Sequence, residues 1–284
     1  MPTGPALLHQ VDRLPVPPDA LAVWFLGQAG LILKGGDTVV YIDPYLTGEA
    51  NPAGAPPEPF RRMFPPPLAP DRVTNANVVL LTHDHLDHTD AATVGPLAKA
   101  SPQAVFVGSS WSRAILKAAG VGDDRVHAAP VGQSLTLGAL TVIPIPAAHY
   151  AVERDAAGQH RYLGYLVDLN GVTLYHSGDT VLVPELLDAL KGRRVDIAAL
   201  PVNGRDYWRD QQDIVGNLYP QEAADLVAAV GADVFLPLHN DLFAGNRLSP
   251  AMLAEDMDRR YPRQKYHWLQ PGELFFYARE RENV

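Results

Sequence analysis

Residues 78–90 read Val-Val-Leu-Leu-Thr-His-Asp-His-Leu-Asp-His-Thr-Asp, so four apolar residues run straight into three imidazoles and two carboxylates packed between His83 and His88. An apolar run without alternation suits a strand buried on both faces. Polar groups delivered by such a strand are expensive to bury unless they are paired or bind a metal. His83 and His85, two apart on extended backbone, project to one side and can grip one ion. Asp87 and His88 follow the turn and can point at a second. Imidazole and carboxylate donors without a thiolate suit zinc, manganese or iron.

The remaining chain offers strands that could bring further ligands to the same place. Leu21–Leu26, Gly30–Leu33, Thr38–Ile42 and Ala104–Val107 are strand candidates in the first half. Leu140–Ile145, Tyr162–Leu169, Val172–Tyr175, Ile197–Val202, Val234–Leu238 and Leu274–Tyr277 follow in the second. Helical patterns fall at Ala91–Lys99, Trp111–Ala119, Pro184–Leu190, Pro220–Val230 and Pro250–Arg260, the fourth opened by proline and closed by Gly231. Strands come consecutively first and then alternate with helices, which favours sheets faced by helices over one parallel sheet. His149, Asp179 and His239 each sit just past one of these apolar runs, where a sheet edge collects side chains. No internal repeat or linker composition divides the chain, so 1–284 is read as one domain.

His-x-His-x-Asp-His followed in order by His149, Gly178-Asp179 and His239 resembles the metallo-β-lactamase superfamily. Within it, Trp24-Phe25-Leu26-Gly27-Gln28-Ala29-Gly30, Tyr175-His176-Ser177-Gly178-Asp179 and His239-Asn240-Asp241-Leu242-Phe243 resemble the UlaG-like branch, which contains a lactonase of a sugar-acid phosphate. The resemblance implies an α/β fold of four layers, αββα, with two mixed sheets and helices on the outer faces. It implies two divalent metal ions, manganese or zinc. His83, His85 and His149 would hold one, Asp87, His88 and His239 the other, and Asp179 would bridge them. Water shared by two such ions becomes a hydroxide nucleophile near neutral pH, with Asp87 placed to carry the proton to the leaving group.

The implied substrate is small and anionic, with a sugar-acid phosphate lactone first in line and a phosphodiester of the cyclic-nucleotide or phospholipid type as the alternative. A metal-binding module without turnover is a third, minor reading. Arg205 in Asn203-Gly204-Arg205 follows a strand on the ligand edge, and its planar fork suits a phosphate or carboxylate; solvated loop charge is the alternative. Asn203 and Asn240 are further candidates for substrate contact, and His176 for contacting substrate or orienting a ligand, against a role satisfied within the strand end. Asp43 either holds a ligand imidazole by its second nitrogen or makes a plain turn with Pro44. The stretch Asn51–Pro70 contains eight prolines and reads as a stiffened surface loop or an active-site lid.

Composition narrows the field. The absence of cysteine excludes disulfides, thiolate metal sites and a thiol nucleophile, and no Gly-x-Ser-x-Gly elbow offers a serine. A net charge of −9 argues against nucleic acid or anionic membrane as partner. Residues 1–20 lack a signal-peptide pattern, and Ala20–Leu33, interrupted by Gln28, is too short to span a bilayer. The expectation is a cytoplasmic protein, with a homo-oligomer compatible with the sequence.

Overall fold

The computed structural model describes residues 1–50, 60–212 and 214–279. Helix α1 (Pro5–Arg13) precedes a sheet built from β1 (Ala20–Gly27), β2 (Gly30–Gly35), β3 (Thr38–Ile42), β4 (Val78–Leu81), β5 (Val105–Gly108) and β6 (Val126–Ala128). A second sheet runs in chain order through β7 (Leu135–Leu137), β8 (Leu140–Pro146), β9 (Leu163–Leu169), β10 (Val172–His176), β11 (Ile197–Pro201), β12 (Val234–Leu238) and β13 (Lys265–Tyr266). The last strand, β14 (Leu274–Ala278), returns to the first sheet as its edge beside β1.

Both sheets follow one plan. Antiparallel pairing joins β1 to β3 and β7 to β10, and parallel pairing joins β3 to β6 and β10 to β13. Parallel neighbours need a crossover. Helix α2 (Ala91–Ala100) and α3 (Ser110–Ala118) serve the first sheet; α4 (Pro184–Leu190), the single turn α5 (Tyr207–Asp210), α6 (Pro220–Val230) and α7 (Pro250–Arg260) lie in the crossovers of the second.

Burial follows the period of two along each strand. In β1, Leu21, Val23 and Phe25 face the opposite sheet, while Ala22, Trp24 and Leu26 pack with Leu7 and Val11 of α1 and Leu97 of α2. Both faces of the strand are therefore apolar, which is why the sequence shows a continuous run and not an alternation. The second sheet does the same: Val234 and Leu236 turn inward, and Phe235 packs outward with Leu226 of α6 and Leu253 of α7. The result is the expected αββα sandwich. Truncating an inward leucine such as Leu236 would cost about 2–5 kcal/mol.

Five elements were not legible in the sequence: α1, β6, β7, β13 and the single turn α5. α1 buries only Leu7 and Val11 and is launched by Gly4 at φ 54° and a first-turn proline. β6, β7 and β13 are two or three residues long and carry no fully buried residue. Of the proline-rich stretch, 51–59 lies outside the described residues. Among the described residues no helix is long and apolar enough to cross a membrane.

Candidate metal centre

The first sheet delivers four donors through one turn. β4 ends at Leu81, and the chain then folds back, with the amides of His88 and Thr89 both donating to the His85 carbonyl. Asp90 closes the turn as the cap of α2, accepting from the Ala92 amide. Asp43, just past β3 at φ 43°, fixes this turn from beneath. It accepts from the Thr82 amide (2.8 Å) and the Thr82 hydroxyl (2.6 Å), and its Oδ2 lies 2.7 Å from His88 Nδ1. That last contact aims His88 Nε2 into the cluster, the role a carboxylate commonly plays behind a metal histidine. Of the two readings of Asp43, the structure supports the imidazole-holding one.

The second sheet delivers the other three. His149 follows β8, and its Nδ1 lies 3.3 Å from the Gly216 carbonyl. Asp179 follows β10 after Gly178, which has φ 60° and where a Cβ would sit 2.5 Å from the Leu163 carbonyl and 2.8 Å from Thr82. Only glycine lets the two sheets close this tightly beside the ligands. His239 follows β12, and its amide donates to the Gln28 carbonyl at 2.7 Å.

Donor atoms of His83, His85 and His149 lie within 4.8 Å of one another, as do those of Asp87, His88 and His239, and those of His83, His88 and Asp179. Asp179 stands between the first two groups: its carboxylate is 3.1 Å from His239 Nε2, 3.4 Å from His88 Nε2 and 3.9 Å from His149 Nε2. All seven expected ligand residues are thus brought together. The Nε2 atoms of His83, His88 and His149 and Oδ1 of Asp179 are buried and make no hydrogen bond within the described protein. Each such atom would cost about 1–3 kcal/mol if left unpaired. Nitrogen and oxygen donors aimed at common points are what divalent cations satisfy, so the residues fit the implied metal.

The two groups differ electrostatically. Burial and neighbouring imidazoles hold His83 and His85 below the ordinary histidine value, and burial pushes His149 down to about 4. Burial acts on His88 and His239 too, but the surrounding carboxylates of Asp179 and Asp87 outweigh it, raising His88 well above the ordinary value and His239 to about 9. Asp87 and Asp179 are held far below the usual carboxylate range, because the imidazoles of His88 and His239 overcome their burial.

Above the ligands opens a cleft of about 260 Å³, lined by Phe60, Leu86, Ile214, Val215, Phe243 and Asn246 together with His85, Asp87, His149, Asp179 and His239. The other expected contacts do not line it. His176 is buried with Nε2 against the Ala29 carbonyl (2.8 Å) and Nδ1 accepting from the Gly178 amide (3.1 Å), so both nitrogens are used within the scaffold. Arg205 forms a two-pronged pair with Glu222 at 2.7 Å and donates to the Asn217 carbonyl. Asn203 is buried between Asn246 and Asn217, and the Asn240 side chain binds the Leu248 backbone. Arg205, Asn203 and Asn240 are corrected from substrate contact to support, and His176 follows the other of its two readings, satisfied at the strand end. Arg205 has one indirect link to the centre: its Cα and Cβ occupy the space where Gly216 would carry a side chain.

Sequence reasoning missed Gln28, Gly216 and Asn246. The Gln28 amide donates to Asp87 Oδ2 at 2.7 Å and lies 2.9 Å from His239 Nε2. Its signal was present, since it is the one polar side chain in the apolar stretch Ala20–Leu33.

A family model described as a beta-lactamase superfamily domain matches residues 38–240. The chain belongs to this beta-lactamase superfamily. That match contains all seven ligand residues, from His83 to His239, and the sandwich is the metallo-β-lactamase fold. Among curated superfamily relatives, a metal-dependent hydrolase of Thermococcus kodakarensis is 29% identical over 76% of this chain and 83% of its own. A probable L-ascorbate-6-phosphate lactonase of Escherichia fergusonii is 25% identical over 99% of this chain and 87% of its own. In fold, the chain is similar to a metallo hydrolase of Ignicoccus hospitalis (TM-score 0.68, 18% identity, 92% of this chain and 100% of that one). It is also similar to an isothiocyanate hydrolase from Delia radicum gut bacteria (TM-score 0.70, 19% identity, 89% and 98%). This superfamily member is a metal-dependent hydrolase by fold, relatives and donor set.

Proposed function

We propose that the protein hydrolyses a small carboxylic ester or lactone with the help of two divalent ions, manganese or zinc. The observation that carries this reading is the convergence of seven nitrogen- and oxygen-bearing side chains beneath one cleft, five of them lining it, in two groups with Asp179 between them. Divalent ions bound there would lower the pKa of a water and polarise the carbonyl oxygen.

The residues divide the work. His83, His85 and His149 would hold one ion and Asp87, His88 and His239 the other, with Asp179 placed between the two groups. In the overall step, the oxygen of water bonds to the carbonyl carbon, the acyl C–O bond breaks, and a proton goes to the departing alkoxide. Asp87 is placed to carry that proton: it lines the cleft, and the Gln28 amide holds its carboxylate in place. With no cysteine in the chain, a covalent thioester is not part of the route. The cytoplasm is the proposed setting.

The test is to load metal-stripped protein with manganese or zinc and compare ascorbate-6-phosphate lactone, simple lactones and esters, and a phosphodiester panel. Metal-dependent opening of a lactone or ester is expected, falling about 1,000-fold or more in Asp179→Ala, which is about 4 kcal/mol of barrier. Diester cleavage with inert lactones and esters would move the protein to the phosphodiesterases. Equal rates in wild type and Asp179→Ala would overturn the catalytic assignment.

A further inference from the structure

The expected phosphate anchor is missing from the cleft, and the reason is visible residue by residue. Arg205 is spoken for by Glu222, the Asn217 carbonyl and the Tyr219 ring. Arg209 is held by Asp206 and the Asn203 carbonyl. Arg161, beside the histidine turn, makes a two-pronged pair with Asp84 and a further bond to Glu153. Arg62 is buried and donates to the carbonyls of Tyr45, Thr47 and Phe64, with its Nη2 left unpartnered, and Arg247 reaches only Met63 Sδ; neither lines the cleft. Arg61 is not free either. No lysine or arginine lines the cleft among the described residues, and the segment 51–59 carries no lysine, arginine or histidine in its sequence.

Beyond the ligands, what lines the cleft is apolar but for Asn246. Phe60, Leu86, Ile214, Val215 and Phe243 form its walls above the ligands. Two of them stand open to solvent, Leu86 65% and Phe60 58% exposed, the Phe60 ring meeting Phe243 edge-on. Asn246, the one uncharged polar group of the wall, is turned to Asn203 and to His239 Nδ1 (3.3 Å). An exposed apolar rim around a polar floor is the composition of a small-molecule site that orients its ligand by a few polar contacts and binds the rest by burial.

We infer that the part of the substrate that does not react is uncharged and apolar: an alkyl or aryl ester or lactone, not a phosphorylated one. This rests on the hydrolase reading for the reacting group but not for the tail. A negative tail entering these walls would lose its water without gaining a cationic partner, whereas each methylene that enters is favourable.

The experiment separates the two readings by measuring binding apart from turnover. Lactams, which keep the ring and resist hydrolysis, would carry a butyl, a hexyl or a sulfonate-ended tail of matched length; sulfonate keeps the negative charge but is a weak metal ligand. Calorimetry on the manganese- or zinc-loaded protein should give tighter binding of the alkyl lactams, about fourfold per methylene entering, and at least about tenfold weaker binding of the sulfonate. Val215→Arg and, independently, Phe60→Arg should each recover the sulfonate compound by about tenfold. Stronger or equal binding of the sulfonate, or binding of none, overturns the inference even if the protein opens lactones. Selective alkyl binding without any turnover would leave the inference standing and remove the hydrolase reading.

Discussion

His149 and His239 occupy matching stations, each just beyond a strand of the second sheet and each facing Asp179, yet their rings are held far apart in acidity, about 4 against about 9. The difference lies in what stands beside them. His149 has His83 and His85 as companions, so burial goes unopposed by a close carboxylate other than the shared one. His239 has Asp87 at 3.3 Å and Asp179 at 3.1 Å, and its group partner His88 has Asp43 behind it as a further carboxylate. Burial thus biases one group toward the neutral imidazoles an ion takes, while the carboxylates bias the other toward protonated imidazoles whose protons an ion would displace. Similar donors, arranged around different numbers of carboxylates, give two half-sites of different character.

Single ligand deletions should break this pairing most sharply. His85→Ala is expected to lose the ion of the imidazole group while the other stays, and Asp87→Ala the reverse; metal counts on dialysed protein would read one ion per chain in each case against two in wild type. Activity in either should fall about 1,000-fold. A count of two in both variants would dissolve the two-group division.

Asp43→Asn should act on one side only. Weakening the partner of His88 Nδ1 is expected to lower the affinity of the carboxylate group about 10–100-fold, leaving the imidazole group unchanged, as read by chelator competition. Equal losses on both sides would make Asp43 a general support of the fold.

Proton displacement gives the finest distinction. Because His88 and His239 are raised, ion affinity on their side should climb about tenfold per pH unit for each proton displaced, from neutrality toward pH 9, where His239 loses its proton in any case. His83, His85 and His149 are lowered, so their side should be flat over the same range and weaken only in acid. Calorimetric ion titrations in buffers of different ionisation heat would separate the two profiles.

Much of this was legible in the sequence because strands buried on two faces leave continuous apolar runs, and ligands at their ends follow them in fixed positions. His149, Asp179 and His239 were each found in that way. What was not legible depended on partners distant in the chain. Arg205 looked available from its own loop, but Glu222, seventeen residues on in the first turn of α6, captures the guanidinium. Asn203 and His176 were correctly placed on the ligand edge, yet their side chains turn into the scaffold. Gln28 stood out as a polar interruption, and only the approach of β12 to the turn after β1 makes it a neighbour of Asp87 and His239.

The division of ligands between the sheets has a consequence for how the molecule holds together. His83, His85, Asp87 and His88 hang from the first sheet and His149, Asp179 and His239 from the second, so neither layer alone can complete either group. An ion bound here is a rivet through both layers: it recognises only the assembled sandwich and resists any motion that parts the sheets. At a free concentration 100 times the dissociation constant, each such ion adds about 2.7 kcal/mol against unfolding. Metal supply would then govern how long the protein survives as well as how fast it works.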